Sequence, residues 1–103
     1  MRISVLTPDR QIFEGNITSV RLPGTDGQFQ VLENHAPLVA GLSGGRVELV
    51  TGTGEYNYFD EESEKPATAS QAGKRIAFNI DGGFLEVLHN EVSLLVRGAR
   101  NMR

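Results

Sequence analysis

The hydrophobic pattern of this chain repeats every two residues almost throughout, and that period excludes most architectures. Ile3 and Val5 flank Ser4, Val20 and Leu22 flank Arg21, and Phe29 and Val31 alternate with Gln28 and Gln30. Further on, Val47 and Leu49 alternate with Arg46 and Glu48, and Ile76, Phe78 and Ile80 with Ala77 and Asn79. Val92, Leu94 and Val96 continue the pattern around Ser93, with Leu95 the exception on the other face. Successive side chains of a strand point to opposite faces, so each run predicts one buried and one wet surface. No stretch sustains a helical period beyond a short turn.

Between the runs stand Thr7-Pro8-Asp9, Pro23-Gly24, Ser43-Gly44-Gly45, Asp81-Gly82-Gly83 and His89-Asn90, residues suited to turns. The spacing predicts an all-β fold, a flattened antiparallel β-sandwich or barrel of about eight to ten short strands. At 103 residues the chain is one domain, residues 1–103, long enough to bury a core without staples.

Two stretches are apolar on both faces of the expected strand. One is Ala36 to Leu42, containing Leu38, Val39 and Leu42; the other is Phe84-Leu85-Glu86-Val87-Leu88. Such a strand lies either deep in the core or against a partner. The segment from Thr51 to Lys74 reads differently. Glu55 to Phe59 suits a strand with Tyr56 and Tyr58 on one face, but residues from about 60 to 74 are acidic and then Pro-, Ala- and Ser-rich. That composition buries little, so a flexible insertion is expected there. Its Asp60, Glu61, Glu62 and Glu64 lack the spaced ligands and central glycine of a calcium loop.

Little here suggests bond chemistry. There is no cysteine and there are only two histidines, His35 and His89, so neither a thiolate site nor a His-rich zinc site is expected. No nucleophile elbow marks a serine, and no glycine pair opens a phosphate-binding loop before a helix. No catalytic residue, cofactor or metal is therefore expected. A net charge of -3 gives no bulk attraction to nucleic acid. No apolar run nears the ~20 residues needed to span a bilayer, and no leader pattern precedes Ile3.

Five short motifs then point the same way. Thr7-Pro8, Phe13-Glu14-Gly15, Leu22 to Gly27, His35-Ala36-Pro37-Leu38 and Gly82 to Val87 occur in an order that resembles the ε subunit of F-type ATP synthases. The resemblance covers nearly all of the chain outside Thr51 to Lys74, and lies in that family's N-terminal β-sandwich. It implies a non-catalytic subunit of the rotating central stalk, with the γ subunit and the membrane c-ring as partners. It also implies that Thr25, Asp26, Gln28, Glu33, Asn34 and His35 face the ring. Leu38, Val39, Leu42, Phe84, Leu85 and Val87 would then belong to γ-facing or core strands. The subunit would sit on the cytoplasmic face of the bacterial inner membrane, peripheral and without a transmembrane segment.

Departures from the family pattern are specific. Gln28 stands where an acidic residue is common, Glu33-Asn34 where Pro-Gly is usual, and Gln30 where glycine is common. Many members continue past the sandwich into a two-helix hairpin that can extend and block rotation. This sequence ends at Arg103, which carries the expectation of a subunit without hairpin-type autoinhibition or ATP sensing. The alternative reading is a free-standing carbohydrate or small-molecule module using Tyr56, Tyr58 and Phe59.

Overall fold

The computed structural model describes residues 1–103, and every regular element in it is a strand. These are β1 (Arg2–Leu6), β2 (Gln11–Gly24), β3 (Gly27–Leu32), β4 (Leu38–Thr51), β5 (Tyr56–Asp60), β6 (Lys65–Ala69), β7 (Arg75–Leu88), β8 (Glu91–Val96) and β9 (Ala99–Arg100). Neighbours run β1-β8-β7-β4-β2, and β1 also pairs with β2, which closes the sheet into a flattened barrel. β3 hangs from β2, the β5–β6 hairpin extends from β2, and β9 adds to β7. Principal extents of 35 × 27 × 19 Å suit two layers about 10 Å apart plus their outer side chains.

The strand number agrees with the expectation; the strand lengths do not. β2, β4 and β7 each run 14 residues. Ser43-Gly44-Gly45 and Asp81-Gly82-Gly83, expected as turns, lie inside β4 and β7, and pairing continues from Leu42↔Gly83 to Gly44↔Asp81 and Gly45↔Ile80. The paired ribbon coils there. On β4 the core-facing residue before the corner is Leu42, whereas after it they are Val47 and Leu49, so the inward parity flips. β7 does the same, from Ile76, Phe78 and Ile80 to Leu85 and Val87. Glycine is required at this corner, because a Cβ on Gly83 would collide with the Leu95 carbonyl oxygen and Gly82 has φ 104°.

One pairing departs from the antiparallel expectation. β1 lies parallel to β8, from Arg2↔Glu91 to Leu6↔Leu95, because closure brings the first strand beside the last long one. The 60–74 segment also holds a strand that its composition does not announce. β6 pairs with β5 from Tyr56↔Ala69 to Asp60↔Lys65, and Lys74 and Gly73 exchange backbone hydrogen bonds with Thr51. Backbone bonds need no apolar side chains, which is why composition conceals this strand.

Inside the barrel, one contiguous cluster of 21 buried residues fills the space between the layers. Phe13, Ile17, Leu22, Leu49, Leu85 and Leu94 are fully buried in it. Burying each such side chain contributes about 1.5–3 kcal/mol. Gly15, in the Phe-x-Gly stretch, makes room for β5: a Cβ there would strike Tyr56, whose ring stacks on Phe13 at 5.4 Å.

Candidate functional site

The two stretches that are apolar on both faces resolve once their strands are placed. Leu42, Leu85 and Val87 are buried, and Leu38 packs partly buried against the same core. Val39 and Phe84 point outward and are 70% and 61% exposed. Sequence alone leaves these six residues as one group; the pleat separates them into four of the core and two of the surface.

Phe84 does not stand alone. The register carries a row across four strands, Leu6↔Leu95, Leu95↔Phe84 and Phe84↔Gly41, and the Thr25 amide then donates to the Gly41 carbonyl at 3.2 Å. Three strand spacings make this row about 14 Å wide. Leu95 is half exposed, and Val39 lies two residues from Gly41 on the same face. Pro8 and Arg97 join the row in lining a groove of about 590 Å³. The next row, Ser4, Ser93, Glu86 and Val39, is polar except for its last member. The outer face is therefore apolar in one band, which the alternation of each strand does not require. Sequence reasoning missed Leu95 and Leu6 as members of this band; the break in alternation at Leu95 was the available signal.

The six residues expected to face the ring do not form one loop. Thr25 and Asp26 make the β2–β3 turn with Gln28 just beyond it, at the Gly41 end of the apolar row. Glu33, Asn34 and His35 lie past the other end of β3, a strand that spans about 17–20 Å. What joins the two groups is β3 itself, an edge strand that pairs only with β2 and shows Gln28, Gln30 and Leu32 to solvent.

The Glu33–His35 end is held from a distance. Asn34 has φ 62°, Asn90 has φ 61°, and both are in the left-handed region that asparagine tolerates. The Asn34 amide donates to Asn90 Oδ1 at 2.6 Å, and Asn90 Nδ2 donates back to Asn34 Oδ1 at 3.0 Å. That reciprocal pair clamps the loop onto the β7–β8 turn, so His89-Asn90 joins the tip. Glu33 Oε1 lies 3.4 Å from the amino group of Met1. His35 Nδ1 is 2.8 Å from the Ala36 carbonyl oxygen, which can only accept, so Nδ1 carries the proton and Nε2 is free. No carboxylate partners either histidine within hydrogen-bond reach, so no acid–base pair forms.

The aromatic platform required by the alternative reading fails on burial. Tyr56 is 3% exposed beneath Phe13, and Phe59 is covered by the Arg10 guanidinium at 4.2 Å. Tyr58 and Phe59 stay partly exposed, but with Tyr56 buried and Phe59 under Arg10 they make no open stacking platform.

Comparison with known proteins decides the family. Residues 1–60 match the family model described as ATP synthase, Delta/Epsilon chain, beta-sandwich domain. The ATP synthase epsilon chain of Chlorobium limicola is 36% identical over 94 residues, covering 91% of this chain and 85% of that one.

The chain belongs to the ATP synthase delta/epsilon family.

The epsilon chain of Salinibacter ruber is 35% identical over 95 residues, and the matched region spans 92% of this chain but 56% of that protein. The fold is shared with a chain in the cryo-EM structure of the Euglena gracilis mitochondrial ATP synthase, OSCP/F1/c-ring, at TM-score 0.71 and 20% identity over 95% of this chain and 51% of that one. A chain in the central stalk/c-ring structure of the Tetrahymena thermophila mitochondrial ATP synthase gives TM-score 0.67 and 14% identity, covering 98% of this chain and 66% of that one. The family is a non-catalytic subunit of a membrane-associated rotary complex. No helix of this chain is long and apolar enough to cross a membrane.

Proposed function

We propose that this chain is a rotor subunit that fastens the γ subunit to the c-ring, so that ion-driven rotation of the ring reaches the catalytic head. Contact with γ is through the apolar band of Leu6, Leu95, Phe84 and Val39. Contact with the ring runs along the free edge of β3, from Asp26 and Gln28 to Glu33, Asn34 and His35. Thr25 stands where the two surfaces meet. The subunit works mechanically, at the cytoplasmic face of a bacterial membrane, and makes or breaks no bond.

The observation that carries this reading is Phe84 at 61% exposure in register with Leu95 and Leu6. A monomeric domain of this size has no internal reason to present that band to water. The ring edge supports a polar contact: Gln28 hydrogen-bonds but carries no charge, so ionic attraction to the ring falls to Asp26 and Glu33. Such exposed charges set encounter rate and register more than affinity.

Reconstitution tests the reading. Purified γ and detergent-solubilised c-ring are mixed with and without this chain, and ring-bound γ is measured after affinity capture of the ring. The expected result is that the chain is retained with γ and increases γ retention. Absence of the chain from both γ and the ring would overturn the assignment.

A further inference from the structure

Gly41 sits in the apolar row for no reason internal to the chain. Its φ is not positive, and a Cβ built on it would touch only Thr25 Cγ2, at 3.6 Å, an ordinary contact. It is paired with Phe84 between Ala40↔Leu85 and Leu42↔Gly83, one pair before the corner, and it has neither the positive φ nor the close backbone contact that the corner glycines have. Glycine weakens a strand interior, and where neither backbone nor packing demands it, it marks a place where something else approaches closely. On either side the row rises again, to Phe84 and to the Thr25 methyl. Gly41 is thus the floor of a notch about two strand spacings, or ~10 Å, across.

The chemistry of the notch limits what fits. Its walls are the Phe84 ring, the Thr25 methyl and the β4 backbone, whose hydrogen bonds to β7 are already made. Arg97, the one charged residue lining the groove, donates from Nη2 to the Asp81 carbonyl at 3.1 Å, and no carboxylate is among the lining residues. A cationic group entering over Gly41 would lose its hydration without an anionic partner in the lining.

Resting on the reading that the apolar band meets γ, we propose that Gly41 seats one aliphatic side chain of the γ subunit, in van der Waals contact with the β4 backbone. The band supplies area, and the notch supplies position. An apolar residue in the notch sets where γ lies along β4, and Arg97 in the groove lining disfavours a basic neighbour beside it. Substitutions at Gly41 therefore act by size. Alanine narrows the seat and leucine fills it.

The test is a binding titration of purified γ against the wild-type chain, Gly41→Ala, Gly41→Leu and Phe84→Asp, with thermal unfolding and sedimentation of each. Gly41→Leu is expected to keep the wild-type melting temperature or raise it, and to weaken γ binding at least tenfold; Gly41→Ala falls between. Wild-type affinity in Gly41→Leu, with binding lost in Phe84→Asp, overturns the seat and leaves the γ-facing band standing. Wild-type affinity in both overturns the seat and the band together. Self-association of the wild-type chain that Gly41→Leu abolishes, with γ binding intact, assigns the notch to a second copy and overturns the proposal. If Gly41→Leu unfolds, the Gly41→Ala result decides between graded loss and none.

Discussion

On one side of the glycine corner, the ribbon of β4 and β7 shows solvent Val39, Phe84 and Leu88; on the other it shows Arg46, Glu48 and Arg75. Both halves use the same pair of strands, with the same antiparallel pairing and the same apolar inner residues. The charged half is an ordinary wet surface, where Glu48 lies 3.7 Å from Arg46 and 3.5 Å from Arg75. Ion pairs this exposed contribute little, about 0–1 kcal/mol. Folding therefore explains the inner face of both halves and the outer face of only one. The proposed contact with γ accounts for what the other half presents outward.

The largest expected effect breaks the corner that joins the halves. Gly83→Val should prevent the fold, because its side chain is driven into the Leu95 carbonyl; circular dichroism and thermal melting would show loss of the β-sheet transition. Next comes the contrast between neighbours of one strand. Leu85→Ala removes a fully buried side chain and should cost about 2–5 kcal/mol. Phe84→Ala, one residue away on the outer face, should change stability by no more than about 1 kcal/mol in denaturant unfolding. Equal losses at both positions would mean that the outer band is packed by the chain itself.

Much of this contrast is legible in the amino-acid sequence. Period-two alternation locates the long runs, because each keeps one inner face. The extent of the strands does not follow. Ser43-Gly44-Gly45 and Asp81-Gly82-Gly83 carry turn-like residues, but the turn or the coil is chosen by cross-strand pairing, which is non-local. The same limit hides the parallel contact of β1 with β8 and the clamp of Asn34 by Asn90, 56 residues apart. Leu38, Val39, Leu42, Phe84, Leu85 and Val87 stand out as a group, but a run apolar on both faces gives no parity signal to divide core from surface. The six ring candidates look like one loop because sequence proximity does not show that β3 stands between their two ends.

At the tip, Asn90→Ala should cost about 1–2 kcal/mol. It removes the reciprocal hydrogen bonds and places alanine at positive φ. A fall in melting temperature of about 4–8 °C per kcal/mol is expected at this chain length. Asn90→Gly should recover the backbone part and leave the hydrogen-bond part lost, so the two variants together apportion the clamp. The smallest effect belongs to the charged half. Arg75→Ala should shift stability by less than about 0.5 kcal/mol and leave γ binding within twofold.

The central claim is that Phe84 and its row are exposed for γ. Its most direct test is an equilibrium titration of γ with the wild-type chain and with Phe84→Asp, each checked for an unchanged melting temperature. A buried aromatic anchor at an interface is worth at least ~2 kcal/mol, so the account predicts binding weakened by about 30-fold or more in the variant. Wild-type affinity for γ in a folded Phe84→Asp chain would contradict it.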